Sequence, residues 1–154
     1  KQPPAKRPCV VQVRAASSGA AAPLRIGIVG LGAIGSTVVK ALCDGRSLPH
    51  CALAAVLVRR PRNEAERSKE LEGPSVEAAS PPLLTHDSEA FLAADWRLCV
   101  EAAGQPWLRE HGRRVLASGR SLLATSVGAF TDEALYKELS AAAAQAGSQL
   151  LLAA

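Results

Sequence analysis

Residues 24–40 read LRIGIVGLGAIGSTVVK, and this stretch decides the fold. An apolar run, Leu24 to Val29, ends in Gly30-Leu31-Gly32-Ala33-Ile34-Gly35, and a helix-periodic segment follows at once. A strand that feeds a helix through G-x-G-x-x-G is the setting in which this spacing cradles a dinucleotide pyrophosphate. Gly30 makes the tight turn, Gly32 lets phosphates reach the backbone, and Gly35 lets the helix lie close on the strand. Ala33 and Ile34 stand between the second and third glycines. The unpaired N–H groups and partial positive charge of a helix start suit an anion there. A glycine-rich turn in an ordinary α/β protein is the bland alternative, and the two correct flanks weigh against it.

The chain on either side repeats the strand–helix alternation. The first helix is expected from Ala33 to Cys43, with Ile34, Val38, Val39 and Leu42 inward and Asp44-Gly45 closing it. A second strand, Leu53 to Val58, completes a βαβ unit of the usual size of about 30 residues. Asn63 followed by Glu66 predicts a capped, solvated helix to about Leu71. Leu83 to Thr85 reads as a short third strand, and Asp87 or Ser88 caps a small helix carrying Phe91 and Leu92. Arg97 to Ala103 reads as a fourth strand, followed by a helix with Pro106 in its first turn that runs to about Ser118. Ser121 to Val127 is a fifth strand, a helix capped by Thr131 follows, and a sixth strand begins at Gln149. The expected class is α/β, a Rossmann-type doubly wound parallel sheet of about six strands. Ligands of such sheets bind beyond the carboxyl ends of the strands, where the strand order reverses. Gly30 to Gly35, Ala103-Gly104 and Ser126 to Ala129 should converge there.

Composition bounds the alternatives. A chain of 154 residues holds one α/β domain, and no apolar run reaches the ~20 residues of a membrane helix. The net charge of +4 resides in Lys1, Lys6, Arg7 and Arg14, so the remaining 14 basic residues balance 14 acidic ones. Residues 24–154 therefore have no basic surplus for nucleic acid, and 3% aromatic content offers little to stack on bases. Residues 1–23 are acid-free and rich in Ala, Pro and Ser, the composition of an organelle-targeting segment. Val13-Arg14-Ala15-Ala16 resembles a plastid processing site, which points to a plastid, with mitochondrion or cytoplasm as alternatives. Cys9, Cys43, Cys51 and Cys99 have no C-x-x-C spacing and no histidine at ligand distance, so no metal site is expected.

The second strand bears on the choice of cofactor. NAD-preferring sites place an acid at its end, where Val58-Arg59-Arg60 stands here with no acid before Glu64. Arg59 and Arg60 can instead pair with a 2′-phosphate, so NADP, or both NADP and NAD, is the expected cofactor. Catalytic groups are harder to find. His50 falls at the wrong end of the sheet, His111 on a solvated arginine-rich helix face, and His86 near the adenine side without a partner. Glu101, inside a strand, is the one acid worth testing, since a buried carboxylate must be paired or face the cleft.

RIGIVGLGAIG, VEAAG at Val100 to Gly104, and SVGAF at Ser126 to Phe130 together resemble the N-terminal domain of L-aspartate dehydrogenases. The helix TDEALYKELSAAAAQAGS also fits, so the resemblance covers residues 24–154. Homoserine dehydrogenases and dihydrodipicolinate reductases share the layout but match the later segments less well. The resemblance implies NAD(P)-dependent oxidation of L-aspartate to iminoaspartate, which hydrolyses to oxaloacetate and ammonia or feeds pyridine-nucleotide biosynthesis. It puts Gly30 to Ile34 under the pyrophosphate, Ala103-Gly104 near the ribose, and Val127, Gly128 and Ala129 along the nicotinamide side. Many members have histidine where this chain has Gln105. The family's catalytic histidine and substrate groups lie in a second domain, expected beyond residue 154, so the chain is expected to be a cofactor domain inactive alone. The full-length enzyme is expected to be a homo-oligomer, and a non-catalytic NADP(H)-binding module is the competing reading.

Overall fold

Short apolar strands can bury both faces only if helices cover the sheet from either side, and the chain folds in that way. The computed structural model describes residues 22–153, apart from residues 75 and 77–80. The segment expected to target an organelle lies outside the described residues, save for Ala22 and Pro23. Strand β1 (Leu24–Val29) leads into α1 (Ala33–Asp44) and β2 (Cys51–Leu57). Helix α2 (Glu64–Glu70), β3 (Leu83–Thr85) and α3 (Ser88–Ala93) follow. Strand β4 (Leu98–Glu101), α4 (Gln105–Ala117) and β5 (Ser121–Ala124) lead to a 3-10 turn (Val127–Thr131), α5 (Glu133–Ala146) and β6 (Leu150–Leu152).

All six strands are parallel, in the order β3-β2-β1-β4-β5-β6. The order reverses between β1 and β4, and the loops after these two strands open there. Alternate residues of β1 serve two cores. Ile26 and Ile28 join Val39, Leu42 and Cys43 of α1, whereas Val29 joins Phe91, Leu108 and Leu139 on the face covered by α3, α4 and α5.

Gly27 belongs to that second face for a steric reason. A Cβ there would lie 2.9 Å from Phe91 Cζ and 3.0 Å from Trp96 Cγ. These two rings stack at 5.1 Å, and Trp96 Nε1 donates to the Phe91 carbonyl at 2.8 Å. Arg120 lies 4.2 Å above the Trp96 ring. The bare strand position is thus the seat of the largest buried side chain in the domain.

Local chemistry shifts several expected boundaries. Asn63 and Glu66 form the anticipated reciprocal cap of α2, and Asp87 caps α3. Asp132, not Thr131, caps α5, accepting from Ala134 N and Leu135 N while Thr131 Oγ1 donates to the Gly128 carbonyl. The same carboxylate meets Arg109 of α4 at 2.7 Å, and that guanidinium holds it below the ordinary aspartate range. Strands β4 and β5 stop earlier than expected, because Glu101 draws the residues after them out of the ladder. Ile34 faces solvent, since it lies in the first turn of α1, ahead of the part that crosses the sheet. Burial pushes the Cys99 thiol far above its usual range, with the Glu101 charge adding to the effect.

Gly27→Ala should destabilise the domain by about 1–3 kcal/mol, the usual cost of overpacking a filled core. Urea unfolding followed by circular dichroism measures it, and a wild-type midpoint would contradict the steric account.

Candidate cofactor-binding site

The glycines of the β1–α1 turn divide by what each one meets. Gly30 has φ +91°, its N–H donates to the Leu57 carbonyl at 2.8 Å, and a Cβ on it would lie 2.6 Å from the Ala102 carbonyl oxygen. A Cβ on Gly35 would overlap the Gly30 carbonyl oxygen. The protein itself therefore demands both residues. Gly32 differs: its backbone is extended, and a Cβ there would meet nothing within 4 Å. The space over Gly32 is open, and no side chain caps the α1 N-terminus beside it. A bare backbone, open space and uncapped N–H groups fit a pyrophosphate.

A cleft of about 600 Å³ adjoins this turn. Gly30 to Gly32 line it from β1, Val58 and Arg59 from the end of β2, and His86 from the loop after β3. Ala103, Trp107 and Glu110 close it from the β4 side. Arg59 is exposed and forms no ion pair among the described residues. Arg60 is turned away: its Nη2 lies 2.6 Å from Glu66 Oε1, and Glu66 also holds the cap of α2. The Arg60 hydrogen bond and the Asn63 N–H hold the Glu66 carboxyl below its usual range. Arg62 also lines the cleft but keeps its Nε 3.1 Å from Glu70 Oε1. The acids of α2 thus occupy two of the three arginines and leave Arg59 to the cleft.

On the other side of the reversal, Glu101 is fully buried at the end of β4. Its Oε1 accepts from Ala103 N at 2.9 Å, Gly104 N at 2.7 Å and Ser126 Oγ at 3.0 Å. Its Oε2 accepts from Ser126 N at 3.2 Å. Gly104, with φ +106°, turns the chain into α4. Val127 and Gly128 are exposed beyond Ser126, and the Gln105 amide reaches to within 3.2 Å of where a Gly128 Cβ would stand. Ala129, expected along the nicotinamide side, is instead fully buried in the core and offers no surface to a ligand.

The histidines are spread apart. The His50 carbonyl accepts from Leu24 N at the start of β1, away from the cleft. His111 is largely covered rather than solvated, its ring 5.1 Å from that of Trp107, because this helix face turns toward α3. His86 does line the cleft. Trp107 and Glu110 line the cleft as well, and neither stands out as a ligand residue in the sequence. Their position one turn into the helix after Gly104 was the available signal.

Residues 30–153 match the family model described as the NAD-binding domain of homoserine dehydrogenase. The chain belongs to this family of NAD-binding domains. Within it, an L-aspartate dehydrogenase 1 of Bordetella parapertussis is 36% identical over 129 residues, covering 83% of this chain and 43% of that protein. The L-aspartate dehydrogenase of Methanocaldococcus jannaschii is 30% identical, with 84% and 45% covered. The chain thus spans less than half the length of the curated relatives it matches. Among solved structures, the WlbA dehydrogenase of Bordetella pertussis in complex with NADH and UDP-GlcNAcA superposes with a TM-score of 0.65 at 20% identity, covering 85% of this chain and 37% of that one. Aspartate dehydrogenase from Thermotoga maritima gives 0.52 at 14% identity, with 84% and 45% covered. These two share the fold of the NAD-binding domain.

Gly32→Ala should cost less than about 1 kcal/mol of stability and yet abolish measurable dinucleotide binding. Gly35→Ala should cost about 3 kcal/mol, since backbone must move to admit it. Thermal melts paired with calorimetric titration of NADH separate the two effects.

Proposed function

We propose that this domain holds NAD(P) for a dehydrogenase that oxidises the CH–NH2 group of L-aspartate. The observation that carries the reading is the 36% identity to a relative named L-aspartate dehydrogenase, sustained over 129 residues of the domain. A bound nicotinamide supplies a hydride acceptor, and the resulting iminoaspartate hydrolyses to oxaloacetate and ammonia or enters pyridine-nucleotide biosynthesis. The chain's own contribution is to bind and orient. Backbone N–H groups from Gly32 to Gly35, with Ala33 and Ile34 between, hold the pyrophosphate at the α1 N-terminus. Ala103 and Gly104 would lie along the ribose, and the exposed Val127 and Gly128 would face the nicotinamide, with Ala129 buried behind them. In this reading acid–base help for the substrate comes from the part of a full-length protein that corresponds to the portion of the relative this chain does not cover. That protein acts as a homo-oligomer in this reading.

Arg59 favours NADP over NAD, because a guanidinium open to the cleft with no acid at the end of β2 suits a 2′-phosphate. Arg60, neutralised by Glu66, contributes little to that preference. A homoserine dehydrogenase-type or dihydrodipicolinate reductase-type activity is the runner-up, the former supported by the match to the NAD-binding domain of homoserine dehydrogenase. A plastid destination is supported by the acid-free segment at residues 1–23.

Arg59→Ala should weaken NADPH binding about tenfold with NADH little changed, whereas Arg60→Ala should alter neither. Full-length protein should reduce NADP or NAD with aspartate and not with homoserine, and should leave NADPH unoxidised when offered dihydrodipicolinate. Turnover of homoserine alone would replace this reading with the runner-up. Residues 1–23 fused to a fluorescent protein should direct it to plastids in plant cells, and a uniformly cytosolic signal would remove that destination.

A further inference from the structure

A buried carboxylate is costly unless every oxygen is satisfied, and the donors that satisfy Glu101 all come from two loops. Ala103 N and Gly104 N belong to the loop after β4; Ser126 N and Oγ belong to the loop after β5. No cation takes part among these contacts. Had packing alone been required, an apolar residue would serve, as Val100 and Cys99 do one and two positions earlier. The acid stands at the last residue of β4, and its side chain lashes both loops together. Those loops lie on the β4–β5 side of the strand reversal, opposite Arg59 and His86. A dinucleotide straddles that reversal, one half on each side.

We propose that Glu101 is a positioning residue for the nicotinamide half of the cofactor, acting through Ser126 and the Ala103-Gly104 backbone. The inference rests on the dinucleotide-binding reading given above. Glu101 has no exposed surface, so it touches no ligand and works only by fixing the loops that do. The adenosine half lies against the Arg59 and His86 wall of the cleft, at the ends of β2 and β3, and that wall supplies none of the donors to Glu101.

The atoms state what a conservative change does. In Glu101→Gln the amide oxygen takes the site of Oε1, which has three donors, and the NH2 group falls opposite Ser126 N. The loop after β4 stays pinned and the loop after β5 loses an anchor. Ser126→Ala removes the hydroxyl bond alone and leaves the buried carboxylate with its three N–H donors.

Two ligands that share the adenosine half, NADH and ADP, separate positioning from general structural damage, because ADP lacks both the nicotinamide and its ribose. Neither carries a 2′-phosphate, so the Arg59 reading has no bearing on the result. Calorimetric titration of the full chain should show Glu101→Gln weakening NADH about tenfold and Ser126→Ala about threefold. ADP should change less than twofold in both. Equal losses for the two ligands would make Glu101 a structural residue only, and an unchanged NADH affinity would likewise overturn the proposal. If the Gln variant fails to fold by circular dichroism, Ser126→Ala decides the matter on the same two ligands. A wild-type chain that binds neither ligand would instead remove the cofactor reading, and this inference with it.

Discussion

The close approach of α1 to β1 sets up everything at the carboxyl end of the sheet. It exists because Gly35 presents no Cβ to the Gly30 carbonyl and Gly30 presents none to the Ala102 carbonyl. With either side chain in place, the helix would tilt off the strand and its N-terminus would no longer point into the gap between β1 and β4. The sheet order then does the rest. Because β1 pairs with β2 on one side and β4 on the other, the turn after β1 sits between the loops that follow both neighbours. One steric concession in a six-residue span thus fixes the meeting place of three segments of chain.

Charge is distributed around this place with some economy. Helix α2 is amphiphilic in charge, not in hydropathy: it has no buried residue and is anchored by its capping box and its ion pairs. Those ion pairs consume Arg60 and most of the reach of Arg62, so a sequence with three nearby arginines presents one open to the cleft. Glu101 shows the converse arrangement. Its neutralisation comes from backbone dipoles and one hydroxyl, which ties its charge to loop geometry and not to a mobile cation.

Much of this was legible in the sequence. The first strand, the capping box at Asn63 and Glu66, and the short strand at Leu83 to Thr85 coincide with the structure, because each is governed by local rules of periodicity and turn chemistry. The strand ends at Glu101 and Ala124 were read two or three residues too long, because apolarity continues through Ala102-Ala103 and Thr125 to Val127 while the backbone is diverted by a residue 25 positions away. Nothing local marks a long-range hydrogen bond of this kind. Arg60 was read as a phosphate ligand on the same footing as Arg59, and only the placement of Glu66, six residues on in the first turn of α2, separates them. His111 read as solvated because its sequence neighbours are charged, whereas the packing of α4 against α3 covers it.

The chain holds two tryptophans, and the fold assigns them to different reporting tasks. Trp96 is sealed over Gly27 between Phe91 and Arg120, so its emission follows the integrity of the core. Trp107 forms part of the cleft wall, so its emission follows what enters beside Gly30. A molecule this poor in aromatic groups therefore carries separate intrinsic optical probes for folding and for occupancy, and each can be silenced by a single replacement with phenylalanine.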